Sequence, residues 1–388
     1  MMRPISPSDP YYTLINGFSD TLDLCKSKGD VLWVSHDLNE GIDHHKTELP
    51  LSKGTVHVSA SYVSQLSRTF FWAEKYPDIE FVVGGPAILT HSFEIIGSTP
   101  KNLTMVSTSV EQYFGKEDFS GTWSIDIPKE IDENDVIYLS YTINDSCYWK
   151  NCIFCSSGEE FCEIDRRRKN FKFEFESIKR PGDVIVKLGS PAITPAFIRN
   201  TLESVPFKNI KEYIMFLRPA KAEMEAIKKL NLKARVRFAL GLEYPTERLW
   251  NHMGKGFNGN DVLELFKVFR EKDLGVTSSV ILGWDNLNSN DVSDLENFMR
   301  SLPVFPESGS ASISIYRLYA YPGTVMHNNG SKAEHRKFVG PLYVGFYPEL
   351  NKEQRRLNKI SEEIIMDYSK EKNIQANNFI VDKMNSWN

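Results

Sequence analysis

Apolar runs of strand length alternate with amphipathic helical stretches along most of the chain. DVLWVS (30–35), TVHVSAS (55–61) and IEFVVGGPAIL (79–89) read as strands, and YVSQLSRTFFWAEKYP (62–77) reads as a helix between the second and third. This alternation predicts parallel βαβ units. Such sheets take ligands beyond the carboxyl ends of their strands, which singles out Ser35 and His36, Ser59 to Ser61, and Gly84 to Pro86. The pair Gly84–Gly85 admits a close approach to the backbone, although VVGGP alone fits a tight strand-to-helix turn with nothing bound equally well.

Residues 98–135 are polar, contain Pro, Asp and Glu, and read as a connection between two domains. A second α/β pattern follows. Its expected strands are DVIYLSYTI (135–143), DVIVKLG (183–189), EYIMFLR (212–218), KARVRFALGLE (233–243), VTSSVILG (276–283) and ASISIYRLYA (311–320). Between them lie PAFIRNTLESV, KAEMEAIKKL, GNDVLELFKVFREKD and SNDVSDLENFMRSL. The third of these has Val262, Leu265, Phe266 and Phe269 on one stripe, with Asn260 as the expected cap. Repeated β-then-α predicts a parallel barrel or partial barrel with functional residues at the carboxyl ends of its strands. After Leu342 the pattern fades into a Tyr/Pro-rich loop and then a charged helix over 351–372.

Length turns the two patterns into domains: 388 residues at about 150 per domain give two or three. The expected division is a Rossmann-like domain over 1–130, a barrel-like domain over 131–325 and a C-terminal extension over 326–388. Against 46 basic residues stand 51 acidic ones, the wrong sign for nonspecific nucleic-acid binding. At 41% hydrophobic and 25% charged, the chain can bury a core. No apolar run reaches transmembrane length and the opening MMRPISPSDP has no apolar signal core, so a soluble cytoplasmic protein is expected.

Four of the five cysteines fall in DSCYWKNCIFCSSGEEFC. Cys147, Cys152 and Cys155 are spaced C-x4-C-x2-C, and Cys162 follows. In a cytoplasmic protein such a cluster points to metal before disulfides. Three thiolates suit an iron–sulfur cluster with one open iron; four, with Cys162, suit structural zinc in a non-catalytic binding protein. The loop directly follows the first strand of the second pattern, at the mouth of the expected barrel.

Several segments in order resemble radical S-adenosylmethionine (SAM) enzymes of the branch with an N-terminal cobalamin-binding domain. CYWKNCIFC resembles the cluster loop, with Phe154 before the last cysteine, but is one residue longer between the first two cysteines. KLGSPAIT (187–194) resembles the segment that meets the SAM amino group, and GLEYPTERLWNHMGKG (241–256) the Gly-x-Glu … Met-x-Lys-Gly pattern. VTSSVILGW (276–284) resembles the segment beside adenine, and LYAYPGT (318–324) a late barrel turn. The resemblance implies that Cys147, Cys152 and Cys155 hold a [4Fe–4S] cluster whose free iron binds SAM. It places Gly189 and Ser190 at the SAM amino group, Glu243 at another polar part of SAM, and Ile281, Leu282 and Gly283 at the adenine. It also implies reductive cleavage of SAM to a 5′-deoxyadenosyl radical, an electron donor such as flavodoxin or ferredoxin, and a small-molecule or peptide substrate. No catalytic side chain is assigned beyond cluster and SAM.

Plainer roles stand beside these. Glu243 has Arg248 or Lys255 as an ion-pair partner, Ser190 can cap a helix, and Met253 and Trp250 suit the core. Arg166 to Lys169 reads as a solvated face, and Cys25 and Cys162 as bystander thiols. In the first domain, SHDLNEGIDHHK lacks the Asp-x-His-x-x-Gly motif that supplies a histidine to cobalt. Cobalamin without a histidine ligand, lined by Ser59, Ser61, Gly84 and Gly85, is therefore expected, against a relic domain that has lost the cofactor. With cobalamin the implied reaction is methylation of an unactivated carbon or another radical modification. Residues 325–350 match nothing familiar; Arg317 and Tyr319, near a strand end, are candidates to face the substrate.

Overall fold

A computed structural model describes residues 11–15, 54–59, 66–84, 88, 94–95, 98–106, 136–141, 147–155, 184–188, 192–205, 208, 210–306, 310–329, 332–339 and 342–380. The expectations for 30–35, Cys25, Ser35, His36, Ser61, Gly85, Cys162, Arg166 to Lys169, Gly189 and Ser190 lie outside these residues.

The large sheet contains eight parallel strands. Strand β1 (Tyr11–Ile15) forms one edge, separated in sequence from the rest by β2 (Gly54–Ser59), β3 (Ile79–Gly84), β4 (Glu94–Ile95) and β5 (Leu103–Met105). Beside β1 lie, in chain order, β6 (Val136–Tyr141), β7 (Val184–Leu188), β8 (Ile210–Leu217), β9 (Val236–Glu243), β10 (Gly275–Leu282) and β11 (Ala311–Arg317). Six sequential parallel strands are the expected partial barrel, and all six stand within two residues of the predicted starts except β9, whose first three predicted residues remain outside it.

Helices join these strands and cover the outer face: α2 (Pro195–Asn200), α3 (Lys221–Lys229), α4 (Glu247–Met253), α5 (Gly259–Glu271) and α6 (Ser289–Ser301), with α1 (Leu66–Lys75) left to the first unit. The stripe on α5 is buried as read, but its cap is Asn258, whose side chain accepts from Asp261 N at 2.9 Å. Asn260 lies inside the helix; Asn258 keeps the extended backbone that a cap needs. The core lies between these helices and alternate strand positions, with Phe238 and Phe269 stacked at 5.3 Å.

The first unit is a three-stranded parallel sheet in the order β2-β3-β5, with α1 packed on it. Strand β5 lies within the 98–135 segment read as a connection. Its three residues are too few to give an alternation signal; what fixes them is pairing with β3 and the Asn102 amide, which donates to Ala73, Tyr76 and Ile79 carbonyls.

The region after Tyr321 is also more regular than its sequence reads. After α7 (Val325–Asn328), β12 (Ala333–Val339) and β13 (Leu342–Pro348) form an antiparallel hairpin where a loop was expected, and β13 pairs with β4. Two register shifts break the hairpin's alternation and hide it from a period-two reading. The charged helix is present as α8 (Lys352–Glu371), capped by Asn351, and it leads to β14 (Gln375–Asn378), which pairs with β11 at the other edge of the large sheet. Among the described residues no helix is long and apolar enough to cross a membrane.

Candidate cofactor site at the barrel mouth

The loop Cys147–Cys155 is held by backbone bonds on both sides. Ile153 N donates to Met253 O at 3.1 Å, and Ile153 O accepts from Met326 N at 2.9 Å. The first partner ends α4 in the Met-x-Lys-Gly segment; the second opens α7, directly after the Tyr-Pro-Gly-Thr turn. Thr324 caps α7 by accepting from His327 N, and its own hydroxyl donates to Tyr321 O at 2.7 Å. Phe154 meets Trp284 edge-on at 5.9 Å, which brings in the turn after β10. Three segments far apart in sequence therefore close on one loop.

Gly254 and Gly256 make that closure possible. Both adopt left-handed backbone, with φ of 74° and 64°. A Cβ on Gly254 would collide with Asn151 O, and one on Gly256 with the Trp149 indole. Trp149 Nε1 donates to Gly254 O at 2.7 Å. The Arg218 guanidinium lies 3.7 Å from the Trp149 ring centroid and donates to Lys255 O at 2.5 Å. Tyr148, the neighbouring aromatic, hydrogen-bonds to the Glu223 carboxylate on α3. Neither Trp149 nor Arg218 emerged as a site residue from sequence. The signal available was two glycines bracketing one lysine and two aromatics inside a cysteine loop.

Glu243 ends β9 in the left-handed region, at φ 60° and 6% exposed. A non-glycine residue there costs about 1–2 kcal/mol. The register between β9 and β10 skips Leu242, a bulge that re-aims the strand end. The carboxylate lies 2.6 Å from Lys255 Nζ and 3.4 Å from Ser279 Oγ. Lys255 also donates to Gly241 O at 3.2 Å. A Cβ on Gly241 would run into that carboxylate, which explains the glycine in Gly-x-Glu. The Glu243–Lys255 ion pair, expected as a plainer role beside SAM contact, is therefore formed, and it is buried. Arg248, the other candidate partner, clamps Asp291 with two nitrogens instead, fastening α4 to the start of α6.

Cys147, Cys152 and Cys155 stand on this loop outside any disulfide, the first two half-buried and the third exposed. Burial pushes the Cys152 thiol up to about 11, although Lys255 pulls it down. Burial also acts against the Lys255 ammonium, but Glu243 and Cys152 outweigh it and hold lysine above its ordinary value. Burial pulls Arg218 below its ordinary value, and Cys147 and Cys152 offset only part of that. The donor set is thus three sulfurs with two cations beside them. Among the described residues, no three His, Cys, Asp or Glu side chains close on a single point as ligands of one metal ion do. Three spaced thiols framed by cations suit a larger anionic cluster.

Of the residues expected at adenine, Ile281 is half-buried, Leu282 is spent in the core, and Gly283 (φ 103°) donates its N–H to Asn358 Oδ1 at 2.7 Å. Arg317 is paired with Glu334 at 2.5 Å, and Glu334 also holds Arg355 at 2.8 Å. Tyr319 packs edge-on against Tyr321 and Tyr347 and touches the core of the first unit. In that unit, Ser59 and Gly84 are register partners at the carboxyl ends of adjacent parallel strands. A Cβ on Gly84 would meet only Val106, at ordinary contact distance. Packing within the described chain does not require glycine there.

No protein-family model matches the chain. No curated protein matches it either. Solved structures do. The chain is similar to the cobalamin-dependent S-adenosylmethionine radical enzyme OxsB, solved with aqua-cobalamin and S-adenosylmethionine, at 8% identity and a TM-score of 0.54; the match covers 80% of this chain and 57% of that one. It is similar also to the radical S-adenosylmethionine methyltransferase TsrM from Kitasatospora setae, solved with tryptophan substrate and the SAM analogue aza-SAM. There the identity is 10% and the TM-score 0.50, over 82% of this chain and 80% of that one. The chain therefore spans little more than half of OxsB. At these identities the shared property is the fold, and the chain has that of cobalamin-binding radical SAM enzymes: a Rossmann-like unit joined to a partial parallel barrel.

Proposed function

We propose that the chain is a radical SAM enzyme. The observation that carries this reading is the closure of the three-cysteine loop on Met253–Gly256 and Met326, at the carboxyl ends of a sequential parallel sheet. In this reading Cys147, Cys152 and Cys155 hold a [4Fe–4S] cluster. Glu243 receives a polar part of SAM, Ile281 and Gly283 flank its adenine, and Gly189 and Ser190 meet its amino group. Held there with SAM and given one electron, a cluster would supply the reductive cleavage of a SAM carbon–sulfur bond, yielding methionine and a 5′-deoxyadenosyl radical. The chain's own contribution is placement. Arg218 and Lys255 balance thiolate charge, Trp149 and Phe154 cover the loop with apolar surface, and Glu243 is held rigid by Lys255. A radical site needs such exclusion of water.

Cobalamin belongs to the same proposal, with Ser59, Ser61, Gly84 and Gly85 along it; the unexplained glycine at Gly84 supports this. Methylation of a small molecule or peptide is the reaction that follows.

Anaerobic reconstitution with iron and sulfide is expected to give brown protein absorbing near about 400 nm, and reduction with SAM present to release 5′-deoxyadenosine. Cys152→Ala removes both properties, whereas Cys162→Ala keeps the cluster. A colourless protein with one zinc, lost equally in both variants, overturns the reading. Hydroxocobalamin added during reconstitution is expected to co-elute on gel filtration with the wild type and to be lost in Gly84→Val; no retained corrinoid in the wild type would leave the first unit a relic.

A further inference from the structure

Among the described residues, the inner face of the large sheet carries a cation with no counter-charge. Val184, Val186 and Leu188 of β7 are fully buried in the core, so alternation turns Lys187 to the opposite, inner face. Barrel interiors are ordinarily filled by bulky branched side chains. Here the inward positions across β9 to β11 include Ala239, Gly241, Thr277, Ser279 and Ser312, all only half-buried. Their outward neighbours Phe238, Leu240, Val276 and Val280 are at most 2% exposed. Small and hydroxyl-bearing residues therefore occupy this part of the inner face in place of bulky ones.

Among the described residues, the acids on this face already have cationic partners. Glu212 lies one register layer below Lys187 and pairs with Arg237 at 3.2 Å. Glu243, at the mouth, pairs with Lys255. Among the described residues Lys187 has only the Phe216 ring, 5.4 Å from its ammonium. Burial pushes its pKa downward, with no carboxylate of the described residues opposing it. A desolvated cation without a partner is costly, and a ligand that supplies the partner recovers the cost.

We infer that Lys187 anchors a carboxylate of the second molecule admitted to the barrel, the substrate, with Phe216 as a flat apolar wall beside it. This rests on the radical SAM reading for the identity of that molecule as a substrate, but the anion site is tested without turnover. The full chain, reconstituted with its cluster, is titrated with benzoate and with its neutral isostere benzamide at matched ionic strength, and melting is followed.

Benzoate, and not benzamide, is expected to raise the melting temperature of the wild type, by roughly 2 °C or more. In Lys187→Met the benzoate response weakens about tenfold or disappears, while the unliganded variant melts at or above the wild-type temperature, because an unpaired charge has been removed. Lys187→Arg retains the response. An equal benzoate response in Lys187→Met, or a variant melting well below wild type, overturns the proposal. SAM carries a carboxylate too, so SAM binding is measured in parallel: unchanged affinity in Lys187→Met supports the second ligand, and a loss matching that of benzoate assigns the carboxylate to SAM and overturns it. Failure to form a cluster or to cleave SAM would sink the functional reading alone.

Discussion

Glu223 shows what one side chain costs for holding a loop. It is 1% exposed on α3; one carboxylate oxygen takes the Tyr148 hydroxyl and the other is buried with no hydrogen-bond partner among the described residues. Burial raises its pKa to about 7. A carboxyl whose folded pKa exceeds its unfolded value binds the proton more tightly when folded. It therefore costs nothing below the unfolded value near 4.5, and its penalty grows as pH rises to about 7. Glu223→Gln is expected to melt higher than wild type at pH 8 and by a much smaller margin at pH 5, read as two melting curves; the same difference at both pH values would refute this assignment. At the same scale, the sequence made Cys147, Cys152, Cys155 and Glu243 visible, since motif spacing is local. It hid Arg218, whose contact with Trp149 is a product of the fold.

Elements were legible where the period was long and unbroken. The strands β9 and β10 alternate between core and inner face along most of their length, and α5 and α6 carry clean stripes. The hairpin β12–β13 and the short β5 were not, because register shifts and three-residue length erase a period-two signal. The element of greatest consequence is the end of α4. Its left-handed Gly254 and Gly256 let a loop more than ninety residues upstream dock on a helix terminus (a rough separation of the kind that makes closure slow). Gly256→Ala is expected to cost about 1–3 kcal/mol through φ strain and displacement of Trp149. Its iron content after reconstitution should fall relative to wild type. Full iron loading in that variant would show that the loop does not depend on this dock.

At the scale of the molecule, the part assigned in sequence to an extension proves to be structural support for the site. Asn358 on α8 is completely buried, holds Gly283 N–H and donates to Gln354 O at 2.8 Å. The Tyr244 hydroxyl, one residue beyond Glu243, meets Ser361 Oγ at 2.7 Å. One helix thus fixes the turns after β9 and β10 from behind. Asn358→Ala leaves a buried N–H unpaired, at about 1–3 kcal/mol, and is expected to weaken SAM binding without altering iron content. Unchanged SAM affinity by calorimetry would count against that support. The sequence could not display this role: α8 looks like an ordinary charged surface helix until its few buried polar residues are placed.

The pairing of β1 with β6 has a consequence for how the chain can be assembled and divided. The three-stranded unit lies in sequence between two strands that are neighbours in the large sheet. It is therefore an insertion, leashed at both ends, and not a bead on a single string. Two covalent attachments leave it fewer orientations relative to the large sheet than a single one would. They also delay synthesis-coupled folding, because β1 must wait for the whole insertion to emerge before it meets its partner.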